Sequence, residues 1–176
     1  PFPWYKFYRG ADMPLPMKPE GYEHFQTIWN KFQNRYKYTD QGVGGNQLRT
    51  MKAYYYAMIS FLDYNVGRLF DYMESEGLLD NTVILFTSDH GELLGDYNCF
   101  GKRCFLDAAA RIPMILKYPR CRSGARVDTP VSLVDVFPTL LDLAGIESDV
   151  DLSGESLLGV IDGTSTRAAI YGQFQH

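Results

Sequence analysis

The chain has 176 residues, 45% of them hydrophobic and 22% charged, which is enough for one ordinary domain with a core of its own. Its 17 basic and 21 acidic residues give a formal charge of -4 with no basic face, so nucleic acid is not an expected partner. No apolar run approaches the length of a membrane span, and no signal peptide is visible.

Residues 1–46 hold five of the nine prolines and many aromatics, among them Trp4, Tyr5, Phe7, Tyr8, Trp29 and Tyr36, with neither a helical nor a strand period. Disordered segments are poor in aromatics, so this stretch reads as an ordered, irregular region that packs on the rest of the chain or on a part of the protein outside it. Residues 47–176 read as the α/β portion. Leu48, Met51, Tyr55, Met58, Leu62, Val66, Leu69 and Met73 recur at steps of three and four, which predicts a helix over 47–76 with that stripe as its buried face. Gly77 supplies its left-handed cap. Val83–Phe86 is apolar without alternation and predicts a strand buried on both faces. A helical turn over 103–110 and a second strand over 112–118 follow. Beyond the polar loop of 120–126, Val131–Leu133 reads as extended. Asp135–Ala144 reads as a helix with Pro138 in its first turn and Gly145 as its stop. A helix over 155–161 and a strand over 168–174 complete the reading.

The chemistry concentrates at Ser88-Asp89-His90-Gly91-Glu92, just past the first predicted strand, where open α/β sheets place their ligands. Asp89 offers a hard oxygen and His90 a neutral nitrogen, a donor pair suited to several divalent ions. Two side chains do not complete a coordination shell, so further donors are needed from elsewhere. Lys102, thirteen positions after Asp89 and preceded by Gly101, is a candidate contact for an anion. The same residues also read more simply, as a turn with a surface histidine and a solvated lysine. Asp107 and Arg111 suit an ion pair as well as a substrate contact, and Arg103 suits an anion or solvent. His24 and the terminal His176 carry no ligand signal. Cys99, Cys104 and Cys121 form no CxxC pair or disulfide framework, and Cys99 reads as a buried structural cysteine.

The run from Tyr54 to Pro119, with SDHGE and the Gly101-Lys102 pair inside it, resembles the sulfatases of the alkaline phosphatase superfamily. So do PVSLVDVFPTLLDLAGI and the Gly154-Glu155-Ser156-Leu157 that follow it, and the opening Pro1-Phe2 resembles the end of the family's His-x-Pro-Phe segment. The resemblance implies a partial α/β/α sandwich of the alkaline phosphatase-like type, with a mostly parallel sheet and flanking helices. It implies hydrolysis of sulfate esters, with Asp89 and His90 as metal ligands and Lys102 as a catalytic, substrate-binding residue. A divalent metal is the implied cofactor, with calcium expected. Tyr97 stands where many relatives carry a histidine.

The family's N-terminal aspartate pair is not found here. Nor is its Cys-x-Pro/Ala/Ser-x-Arg segment, whose cysteine or serine becomes the formylglycine nucleophile. The expectation is therefore a C-terminal portion of a sulfatase catalytic domain, a processed or truncated product inactive by itself, whose partners are the missing N-terminal half and a small-molecule or glycan sulfate ester. A periplasmic, lysosomal or secreted location is inherited from the family. A phosphonate monoester or phosphodiester hydrolase of the same superfamily is the alternative, with manganese or zinc as the expected ion. An alternative of another class is a non-catalytic glycan-binding or interaction module, with the aromatics of residues 1–46 able to stack on sugar rings.

Overall fold

A computed structural model describes residues 2–35, 43–121 and 124–173. Tyr36, His176 and residue 174 lie outside the described residues, as does part of the 120–126 loop. The chain divides into two compact units, Pro1–Leu79 with His90–Pro113, and Asp80–Asp89 with Met114–His176.

The first unit is built on helices. Its short helix α1 (Ile28–Gln33) begins in a capping box: the Thr27 hydroxyl accepts the Asn30 N–H at 3.1 Å, and the Asn30 amide oxygen accepts the Thr27 N–H at 3.1 Å. The long helix α2 (Gly45–Ser75) follows, opened by the Gly44 N–H donating to the Gln47 side chain at 2.8 Å. Gly77, at φ +65°, closes it as the sequence predicts, and the Leu78 N–H reaches back to the Met73 carbonyl at 2.8 Å.

The buried face of α2 differs from the predicted stripe. Ala53 and Ala57 are buried, whereas Met58, Leu62 and Leu69 are exposed; of the predicted stripe, Leu48 is buried. The reason is steric. Two 3-10 turns, Trp4–Phe7 and Gly10–Asp12, lie along the flank where Thr50, Ala53, Ala57, Ser60 and Tyr64 recur. Small side chains let a backbone approach closely: a Cβ on Gly10 would meet the Thr50 hydroxyl at 3.0 Å. The Tyr8 hydroxyl bonds Ser60 at 2.6 Å, and the Trp4 ring sits 5.1 Å from that of Tyr64. The first residues thus form short helical turns on α2, a local order that their lack of any period concealed.

The second unit carries the strands β1 (Ile84–Thr87) and β2 (Met114–Lys117). They pair antiparallel, with Phe86 opposite Ile115, and among the described residues they are the whole sheet. This corrects the expectation of a mostly parallel sheet. Parallel neighbours need a crossover, usually a full helix, to return the chain to the same end. The connection from β1 to β2 holds no full crossover helix, just a 3-10 turn at Asp96–Asn98 and the four-residue helix α3 (Asp107–Ala110), and the chain returns antiparallel. Burial of β1 on both faces is also not seen, because Phe86 and its partner Ile115 are exposed.

Helix α4 (Val136–Ala144) carries Pro138 in its first turn and ends on Gly145 at φ +68°, as predicted. Helix α5 (Leu157–Ile161) is capped by the Ser156 hydroxyl. The predicted strand over 168–174 is absent among its described residues: 168–173 are irregular, and Tyr171 is 94% exposed with no strand to pair with.

Asp135, whose carboxylate is buried, is a polar staple of this unit. It accepts the Ser132 N–H at 2.8 Å, the Glu155 N–H at 3.0 Å and the Arg167 guanidinium at 2.7 Å. The Thr139 hydroxyl, in turn, accepts the Leu157 N–H at 2.8 Å, tying α5 to α4.

Candidate functional site

His90 and Lys102 both belong to the first unit, on the segment His90–Pro113, and the structure brings them together. The Lys102 ammonium donates to Nε2 of His90. Nδ1 of His90 lies 2.7 Å from the Gly91 carbonyl. A carbonyl can only accept, so Nδ1 carries the proton and Nε2 presents a lone pair. A backbone bond of this kind is what fixes a metal-binding imidazole in its tautomer. Asp89 closes a segment of the second unit, two residues past β1, with an exposed carboxylate and the Ser88 hydroxyl 3.5 Å from it.

The loop between His90 and Lys102 is held by many bonds. Gly91 donates to the Ala109 carbonyl at 2.8 Å, and the backbones run so close that a Cβ on Gly91 would meet the Ala108 oxygen at 2.0 Å. Only glycine fits there. Leu94, Tyr97 and Asn98 all have φ between 47° and 56°, a left-handed conformation that costs energy in non-glycine residues. Contacts from far away in sequence hold it. Asp96 accepts the Met17 N–H at 2.8 Å and lies 3.7 Å from the Lys52 ammonium. The Tyr97 N–H donates to the Met17 carbonyl at 2.8 Å, and its own carbonyl accepts the Gln26 amide at 2.7 Å. The Asn34 amide donates to the Asn98 carbonyl.

Leu93, Cys99, Cys104 and Ala109 form the small core beneath this loop. Burial pushes the thiols of Cys99 and Cys104 up, so both stay protonated near neutral pH, in keeping with a structural Cys99. The Tyr97 ring packs edge-on against Phe25 at 5.7 Å. The Arg103 guanidinium lies 5.8 Å from the centre of the Trp29 ring. Asp107 and Arg111 are 3.7 Å apart and exposed, a pair of little energetic weight. The sequence reading passed over Glu92 and Asp96, whose carboxylates serve backbone N–H groups of this loop or of the chain beside it. The signal available was an acid set among Gly91, Gly95 and Gly101, where turns leave N–H groups in want of acceptors.

Comparison with known proteins defines the class. The chain matches the sulfatase family over residues 18–146, which include Asp89, His90 and Lys102. It is 39% identical over 123 residues to arylsulfatase K of Danio rerio, covering 70% of this chain and 24% of that protein. It is 36% identical over 129 residues to the N-acetylglucosamine-6-O-sulfatase of Bacteroides thetaiotaomicron, covering 69% and 23%. The solved phosphonate monoester hydrolase SpPMH of Silicibacter pomeroyi superposes with a TM-score of 0.82 at 30% identity, over 97% of this chain and 36% of that one. The chain therefore belongs to the sulfatase family, with the fold of the alkaline phosphatase-like hydrolases. It spans about a quarter of the length of the curated relatives it matches. Among the described residues, no helix is long and apolar enough to cross a membrane.

Proposed function

We propose that the complete protein hydrolyses sulfate esters, that Asp89 and His90 are ligands of a divalent cation, and that Lys102 binds the sulfate and acts in catalysis. One observation carries this reading. In a chain of the sulfatase family, a loop bridged by distant contacts brings the Lys102 ammonium beside the His90 imidazole, so a cation on His90 and the lysine would face one anion between them, the lysine turning from the ring to that anion. The donor set fits such an ion: a carboxylate and an imidazole whose tautomer leaves Nε2 unprotonated. Among the described residues no group of three His, Cys, Asp or Glu side chains gathers for a metal, so the remaining ligands come from other parts of the protein, water or substrate. Calcium is the expected ion.

When bound, the cation would polarise the sulfuryl oxygens. Lys102 supplies a donor where negative charge builds on the ester oxygen, and His90 is held for its role by the Gly91 carbonyl. The nucleophile, a formylglycine by family, lies outside this chain, as do further sheet strands that would make up the α/β/α sandwich. The substrate is a small-molecule or glycan sulfate ester, and the N-acetylglucosamine-6-O-sulfatase relative supports the glycan. A periplasmic or secreted location is taken over from the family.

The expected result is that the complete protein turns over a chromogenic aryl sulfate, loses that activity on chelation and regains it with calcium, while the 176-residue chain alone is inactive. Full activity after exhaustive chelation would contradict the metal's part in it. The likeness to SpPMH favours a second reading, a phosphonate monoester or phosphodiester hydrolase using manganese or zinc.

A further inference from the structure

Lys102 ends a loop whose register is set by a carboxylate. Glu92 lies two residues after His90, and its Oε1 accepts the Gly101 N–H at 2.6 Å and the Leu94 N–H at 3.1 Å. The Gly101 carbonyl is held as well, accepting the Leu93 N–H at 2.9 Å. Both backbone polar groups of Gly101, the residue before Lys102, are thus tied to the segment that follows His90. Across the twelve positions from His90 to Lys102, this is a short cut. Gly101 itself stands at φ +80°, a conformation with many alternatives once its bonds are lost.

We propose that Glu92 is a positioning residue for Lys102: its carboxylate clasps the lysine turn to the histidine segment and sets where the ammonium stands. The inference rests on the role given to Lys102 above. Both bonds fall on one oxygen, so the clasp needs an acceptor rather than a charge. Hydrogen bonds that backbone N–H groups donate to a carboxylate oxygen are short, which suits the 2.6 Å contact.

The test is a kinetic cycle on the complete protein with an aryl sulfate. Glu92→Ala is expected to lower kcat about 10- to 100-fold, as loss of an outer supporting bond does, with KM little changed. Glu92→Gln, which keeps the oxygen, restores most of the rate. In a Lys102→Ala background, Glu92→Ala costs nothing further, because the group it positions is gone. Amide exchange at Gly101 quickens in Glu92→Ala and stays slow in Glu92→Gln, a readout that holds if the alanine variant is too unstable for kinetics.

Losses that multiply in the double variant would overturn the inference, as would a Glu92→Gln enzyme as slow as Glu92→Ala. A Glu92→Ala enzyme with unchanged kcat beside a crippled Lys102→Ala enzyme would overturn the clasp alone. A Lys102→Ala enzyme with full activity would overturn the functional reading, and the clasp with it.

Discussion

Replacing Lys102 by alanine is expected to lower kcat for an aryl sulfate about 100- to 1,000-fold, the usual cost of deleting one donor aimed at charge that builds in the transition state. The side chain is exposed, and its ammonium reaches His90. The loop that carries it is held by Glu92, Asp96 and Asn34, so truncation at Lys102 removes the donor and leaves the scaffold. Because the interaction strengthens as the ester bond breaks, kcat and kcat/KM should fall together. Lys102→Arg should recover only part of the rate, since a planar guanidinium does not place its protons as a compact ammonium does. A rise in KM with kcat unchanged would reduce Lys102 to a binding contact.

Asp135→Ala should destabilise the fold by about 3 kcal/mol, at the low end for a broken buried ion pair. The carboxylate is 1% exposed and serves two backbone N–H groups besides Arg167, and alanine leaves both N–H groups without this acceptor. Arg167 keeps a second partner in Glu155, 3.5 Å away, which moderates the loss. Burial by itself would push the Asp135 carboxyl up. The Arg167 guanidinium and the N–H groups of Ser132 and Glu155 outweigh it and hold the carboxyl below the usual carboxylate range. A depressed carboxyl contributes stability that is complete above its unfolded value, near pH 4, and lost as pH falls through the folded one. Denaturant midpoints should show wild type and Asp135→Ala far apart at neutral pH and converging in acid. An equal gap at every pH would contradict this.

Much of the local structure was legible in the sequence because its signals are local. The three-and-four spacing and Gly77 marked α2 to within two residues at either end, Pro138 and Gly145 bounded α4, and apolar runs marked β1 and β2. What failed depends on partners. An apolar stripe does not say which face is covered, and in α2 the alanine face wins because turns far earlier in the chain need its small side chains. Strand direction depends on the connection, and the Gly91–Asn98 loop depends on contacts such as Met17 to Asp96, 79 positions apart. His90 and Lys102 were singled out from residue chemistry and family resemblance, but no period or propensity places one on the other. Glu92 was missed because its role is to serve backbone groups, and these appear only once the turn is built.

The ester preference of the complete protein tests the account most directly. Values of kcat/KM measured side by side on an aryl sulfate, a phosphonate monoester and a phosphodiester should be highest for the sulfate, with the sulfate reaction lost in Lys102→Ala. A protein that prefers either phosphorus ester, or that hydrolyses the sulfate equally well without the lysine, would contradict it.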